Sequence, residues 1–339
     1  MKPRDLDLTG YTRLPGFINA HDHLEFNLFP ALGRGGYRNA TEWARDIYRP
    51  DAAPVREHLR VPKPVRLWWG ALKNLLSGVT TVCHHNPYEA EVFGPEFPVR
   101  VVRRVAWAHS QAFDPRPDEA IRKAPRTWPF VVHCAEGVDA AAGREVAGLD
   151  EAGALDSRTA IVHGVALRRA SIELLRLRGA SLVWCPTSNL SMFGRTVPRS
   201  VFAAGVPVAL ATDSALSAPV DLLDEMAVAR RYVPAARVRE MVTSVPARIL
   251  RLSPRVLERD WIAMRGESEV ALVVVNGRIK LISPELAAQL PKSERRRFER
   301  LHVECRPPVL VAAPVARLRR AAEKHLGSDL RLAGKQVLA

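Results

Sequence analysis

The chain has 339 residues, 47% of them hydrophobic, and a formal net charge of +14. That is long enough for one large domain with an appendage and lies outside the composition of disordered or fibrous chains. The four cysteines Cys83, Cys134, Cys185 and Cys305 are too scattered for a disulfide framework or a zinc knuckle. No apolar run reaches 18 residues and none follows the charged N-terminus, so the expectation is a cytoplasmic protein with neither membrane span nor signal peptide. The excess charge is mostly dispersed Arg, densest at 293–300 and without aromatic interleaving, which argues for solvated faces over nucleic-acid binding.

In chain order, residues 14–20 form a short, nearly all-apolar strand that turns polar at His21, as a strand buried on both faces does when it ends at a functional rim. His21 and His23 are two apart and would share one face of that strand, either as a ligand pair for a divalent metal or as surface or core histidines. Residues 39–66, with Pro50, Pro54, Pro62 and Pro64, read as a long loop with helical pieces. Leu67, Ala71 and Leu75 repeat at helical spacing, Gly78 stops the helix, and a strand follows at 79–83. One β stretch is expected over 99–108, ending at His109, and another at 130–132, ending at His133. Residues 161–162 run into His163, a helix over 171–178 closes at Gly179, and 181–184 runs into Cys185-Pro186. A helix begins at Pro198, a strand over 206–211 leads to Asp213, and amphipathic helices are expected over 219–230 and 237–250. Residues 270–275 with Asn276-Gly277 predict a strand and turn. A last helix carries Val315, Leu318, Ala322 and Leu326 on one face and ends at Gly327.

Strands alternating with helices at intervals of roughly 22 to 30 residues predict a parallel sheet with covering helices, and such folds place their sites at the C-terminal ends of the strands. The polar residues stand there: His21 and His23, His133 with Glu136, His163, Ser188 with Asn189, and Asp213. Three imidazoles and a carboxylate would hold Zn²⁺ or Fe²⁺ with room for a water. Asp213 could both bind metal and accept the water's proton, Glu136 could carry it to a leaving nitrogen, and His163 could polarise the atom under attack. His109 is a candidate substrate contact. Ser188 and Asn189 either reach substrate or brace their own loop. His84 and His85 read as a loop pair, and no basic partner is fixed beside Cys134 or Cys185.

These pieces resemble the amidohydrolase superfamily of metal-dependent TIM-barrel hydrolases, in the branch of cytosine and guanine deaminases and triazine hydrolases. The similarity rests on Leu14-Pro15-Gly16-Phe17-Ile18-Asn19-Ala20-His21-Asp22-His23-Leu24, Gly78-Val79-Thr80-Thr81-Val82, His133-Cys134-Ala135-Glu136, Val162-His163-Gly164, Cys185-Pro186-Thr187-Ser188-Asn189 and Ala211-Thr212-Asp213-Ser214, in the family's order. The resemblance implies metal ligands His21, His23, His133 and Asp213, catalytic roles for Glu136, His163 and Asp213, and substrate contacts at His109, Ser188 and Asn189. It implies one divalent ion, Zn or Fe, because no Lys lies between Lys73 and Lys123 to bridge a second. The activity implied is hydrolysis of a non-peptide C–N bond in a small molecule, foremost deamination of a heterocyclic amidine by metal-activated water. The alternatives are a cyclic amide hydrolase and a catalytically inactive barrel that binds a ligand or partner.

The fold implied is α/β, a TIM-type (β/α)8 barrel over 12–260, with 1–11 and 261–283 as the remnant of a small β-sandwich and 284–339 as a basic helical extension. Only about 50 residues separate Gly78-Val79-Thr80-Thr81 from His133, too few for the usual strands and helices, so the barrel is expected to lack a β/α unit or to contain a degenerate one. No membrane partner is expected, and homo-oligomerisation is left open.

Overall fold

The computed structural model describes residues 3–110, 113 and 116–338. Its centre is eight parallel strands in two hydrogen-bonded sets, of three and of five. The first set comprises β1 (Phe17–Asp22), β2 (Val79–His84) and β3 (Arg100–Val101). The second comprises β4 (Ala106–Ala108), β5 (Phe130–Cys134), β6 (Thr159–His163), β7 (Ser181–Trp184) and β8 (Val208–Leu210). β1, β2 and β6 to β8 are buried along their whole length, which explains why they read as unbroken apolar runs. The N–H of Asp213 bonds the carbonyl of His21 at 3.2 Å, tying the ends of β8 and β1 together.

The helices used below are α1 (Ala40–Ile47), α2 (Lys63–Leu76), α3 (Glu145–Glu151), α4 (Arg169–Arg178), α5 (Pro186–Phe193), α6 (Leu222–Ala229) and α7 (Val315–Leu326). α2 buries Leu67, Ala71 and Leu75 as their spacing requires. Gly78 then turns at φ +80°, a left-handed conformation that glycine adopts without strain, and β2 begins. The expected helix over 237–250 is two, Ala235–Met241 and Ser244–Ile249. Pro246 has no N–H to give to residue 242, so one continuous helix cannot run through it.

The stretch 99–108 is also two elements, β3 and β4, separated by residues 102–105. The shortening therefore falls on helices and not on strands: among the described residues neither the β2–β3 nor the β3–β4 connection contains one.

The C-terminal residues depart further from expectation. Residues 284–339 were expected to be a helical extension, but they supply Glu299–Val303, Val309–Val311, Arg331–Leu332 and Lys335–Leu338. These strands join Thr12–Pro15, Trp261–Arg265, Glu269–Val275 and Arg278–Ile282 in one eight-stranded antiparallel sheet. The added strands are two to five residues long, and all but Val309–Val311 carry Arg, Lys or Glu, so each shows at most two inward apolar side chains. Such short alternations hide among polar residues. α7 forms where its apolar face predicts, burying Val315, Leu318 and Ala322. It lies against α2, where the Trp69 indole N–H reaches the Leu318 carbonyl at 3.4 Å. Among the described residues no helix is long and apolar enough to cross a membrane.

Candidate metal centre

His21 and His23 follow one another on the same side of β1, and both rings face Asp213 beyond β8. Nε2 of His21 lies 3.4 Å from Asp213 Oδ1, and Nε2 of His23 lies 3.6 Å from it. From β5, His133 brings its Nε2 to 3.2 Å from that of His21. Ligand atoms of His21, His133, His163 and Asp213 all fall within 4.8 Å of one another. His163 thus comes as near the centre as the expected ligand His23 does.

All of these side chains but His21 are oriented from behind. His133 Nδ1 bonds the His109 carbonyl at 2.8 Å, which leaves its Nε2 lone pair for the centre. His23 Nδ1 bonds Asn86 Oδ1 at 2.6 Å, and Asn86 donates in turn to Glu25 at 3.0 Å. Asp213 Oδ2 accepts from the hydroxyls of Ser188, at 2.7 Å, and Ser217, at 2.9 Å, so Oδ1 is the oxygen turned to the histidines. Partners of this kind fix the orientation of metal ligands. Asp22, pointing away from the two histidines, meets Lys73 of α2 at 2.9 Å and Asn74 at 2.7 Å. Lys73 also donates to Thr212, beside Asp213, at 3.0 Å. This buried network ties the end of β1 to the end of β8 from the rear.

The electrostatics suit a cation. Burial lowers the pKa of His21 to about 4 and that of His133 well below the usual range, so both rings are neutral and offer lone pairs. Asp213 is held well below the carboxylate range against the pull of burial, chiefly by the His21 ring 3.4 Å from its Oδ1 and by His163 and His23. His21 Nδ1 and His163 Nε2 are buried polar atoms on which no aligned hydrogen bond closes. Neutral imidazoles and an ionised carboxylate converging on one point are a donor set that fits a divalent ion.

Glu136 lies beyond β5, with its Oε1 3.3 Å from His163 Nε2. Burial, and then the negative charge of Asp213, push its pKa well above the usual value, a shift that favours the protonated acid. Three non-glycine residues with left-handed backbones stand here: Ala135 (φ 55°), His163 (φ 77°) and Asp213 (φ 58°). Strained conformations of this sort gather at functional sites.

Above the cluster lies a cavity of about 150 Å³ walled by His23, His109, His133, Glu136, His163 and Asp213 on the polar side, and by Phe26, Trp43, Phe113 and Leu216 on the apolar side. His109, the candidate substrate contact, stands in its wall. Ser188 and Asn189 do not: both are fully buried behind the wall, Ser188 bonded to Asp213 and Asn189 Oδ1 to His163 Nδ1 at 2.9 Å. Their assignment as substrate contacts is corrected accordingly, because helix α5 turns them toward the strand ends and the cavity lies on the far side of the residues they hold. His85, expected in a loop, is completely buried. Its ring centre lies 4.5 Å from that of His133, and its Nε2 lies 3.0 Å from the Ala108 carbonyl oxygen.

Sequence reasoning missed Ser217, Asn86 and the apolar wall. Ser217 lies four residues beyond Asp213 and Asn86 directly follows the His pair, so both stood beside recognised residues. Trp43 and Phe113 come from connecting segments and carried no local signal.

The amidohydrolase family model matches residues 129–256. Among curated proteins the chain is similar to a 5-methylthioadenosine/S-adenosylhomocysteine deaminase of Syntrophobacter fumaroxidans, 26% identical over 324 residues, covering 75% of this chain and 71% of the relative. A protein of the same name from Pyrococcus furiosus is 33% identical over 127 residues, 34% of this chain and 30% of the relative. Among solved structures, a zinc-bound adenosine deaminase from Xanthomonas campestris matches with TM-score 0.63 and 19% identity, over 94% of this chain and 85% of its own. A zinc complex of atrazine chlorohydrolase from Arthrobacter aurescens matches with TM-score 0.65 and 17% identity, over 94% and 88%. At such identities the structural likeness speaks for the fold, which is α/β and TIM-barrel-like.

Proposed function

We propose that this chain, a member of the amidohydrolase superfamily, is a mononuclear metal-dependent hydrolase of the cytoplasm that deaminates a small heterocyclic amine. The observation that carries the reading is the convergence of His21, His23, His133 and Asp213 on one point under a cavity whose wall also contains Glu136. The names of the similar deaminases support it, and 5′-methylthioadenosine is the first substrate to try.

Bound among those residues, a Zn²⁺ or Fe²⁺ ion would supply the Lewis acidity that brings a water's pKa near neutrality. The chain's own groups do the rest. Phe26, Trp43 and Phe113 offer flat apolar faces to a ring. Asp213 Oδ1, free of the two serine hydroxyls, takes the proton released as water adds to the carbon bearing the amine. Glu136 delivers its proton to the departing nitrogen, and the neighbouring His163 Nε2 holds a lone pair that can share it.

Elemental analysis of untagged protein should find about one equivalent of zinc or iron per chain. Glu136→Gln should keep the metal and release ammonia at least about 100-fold more slowly, the range expected for loss of a general acid–base. Full activity in this variant would end the shuttle assignment, and absence of metal after incubation with both ions would favour an inactive binding barrel.

A further inference from the structure

We propose that Glu145, the first residue of α3, is a positioning residue for the proton shuttle, its carboxylate clamping the peptide N–H groups of Ala135 and Glu136. The inference rests on the shuttle role of Glu136 proposed above. Glu145 Oε2 accepts the Ala135 N–H at 2.6 Å, and the next N–H, that of Glu136, lowers the pKa of the same carboxylate. Two successive N–H groups aimed at one anion form a concave nest, and here the left-handed φ of Ala135 makes the nest possible. The carboxylate is mostly buried, and no Lys, Arg or His is paired with it by an ion pair among the described residues. Burial accordingly lifts its pKa to about 7 while the two N–H groups pull it down.

A carboxylate withdrawn from water to hold two amides needs a reason beyond surface solvation. The segment it holds has one evident task. Beyond Ala135, the Glu136 carbonyl accepts from Ala40 N–H at 3.0 Å and Val138 N–H bonds the Arg38 carbonyl at 2.7 Å, so the outer side of the loop is pinned to the segment that starts α1. Glu145 pins the inner side. Between these anchors the Glu136 side chain is directed into the cavity and toward His163.

His133, only two residues before Ala135, does not depend on this clamp. It belongs to β5 and has its own bond to the His109 carbonyl. Loss of the clamp should therefore misplace the shuttle and spare the metal ligands, a division that general damage to the fold would not respect.

The test compares Glu145→Ala and the isosteric Glu145→Gln with wild type, using 5′-methylthioadenosine as substrate. Glu145→Ala should lower kcat by about 10- to 100-fold, the scale on which an ångström of misplacement acts, with KM within about twofold and zinc content unchanged. Glu145→Gln keeps one acceptor oxygen and should fall between. Amide hydrogen exchange over residues 134–137 should quicken in Glu145→Ala and less so in Glu145→Gln. Unchanged exchange, unchanged kcat, or metal and folded protein lost together in Glu145→Gln would each overturn the proposal. If wild type releases no ammonia from any amino-heterocycle, the functional reading fails, and the exchange measurement still decides the clamp.

Discussion

The two sides of the cavity are built in opposite ways. On the metal side, His21, His23, His133 and Asp213 stand at or just beyond the ends of β1, β5 and β8, and three of them are held by hydrogen-bond partners: His23 by Asn86, His133 by a backbone carbonyl, Asp213 by two buried serines. On the substrate side, Trp43 comes from α1, and His109 and Phe113 from the segment after β4, with Phe113 50% exposed. Strand ends give positions fixed by a ladder of hydrogen bonds, as ligand geometry demands. Connecting segments give a wall that can change its shape and chemistry without touching the ligands. The contrast predicts that damage to one side stays on that side.

The largest effect should come from the metal side. His21→Asn removes the imidazole nearest the middle of the cluster, 3.4 Å from Asp213 Oδ1 and 3.2 Å from His133 Nε2. The variant should purify with little or no zinc or iron by elemental analysis and show no measurable turnover, with the protein still folded by circular dichroism. Full metal content in His21→Asn would mean that His23, His133, His163 and Asp213 suffice, and the division between the two sides would have to be redrawn around His163.

The same contrast explains what the sequence made legible. His21 and His23 could be read because alternation along a strand puts residues two apart on one face, and His133, His163 and Asp213 because each ends or follows an apolar run. The barrel-like core was legible for the same reason. The C-terminal strands were not, since Glu299–Val303 offers only Leu301 and Val303 inward and Val309–Val311 is three residues long. Ser188 and Asn189 were found as residues but misplaced as contacts. Only the tertiary path of α5 decides that they meet Asp213 and His163 from behind. Trp43 could not be found at all, because its place in the wall depends on how residues 33–46 fold back over the strand ends.

Trp43 supplies the second test. Its indole N–H is bonded to the Leu32 carbonyl at 3.2 Å, and its ring packs beside Tyr37, Met192 and Phe193 while facing the cavity. Trp43→Ala should raise KM by roughly 3- to 10-fold, the scale of one lost aromatic contact, and leave the metal in place. Loss of zinc from this variant would show that the two sides are mechanically joined, through the bond between Ala40 N–H and the Glu136 carbonyl.

The smallest effect concerns stability and probes the rear of the metal side. Glu225 on α6 is fully buried and accepts from the Thr187 N–H at 3.1 Å and its hydroxyl at 2.9 Å, steadying the start of the helix that carries Ser188 and Asn189. Burial pushes its pKa up to about 8 from an ordinary value of 4.5, and its Oε1 has no hydrogen-bond partner. Folding therefore takes up a proton at this site. The stability tied to that proton is complete below about pH 4.5, declines as pH rises, and is gone above about pH 8. Glu225→Gln keeps an acceptor for Thr187 and removes the titration. Between pH 5 and 8 its melting temperature should fall less steeply than that of wild type, with a gain of on the order of a few degrees at the alkaline end. Because Asp213 and His163 are held through α5, the variant should keep its metal and most of its turnover. Parallel melting curves for the two proteins across that range would mean that Glu225 is not protonated on folding, and that its bonds to Thr187 are those of an ionised carboxylate.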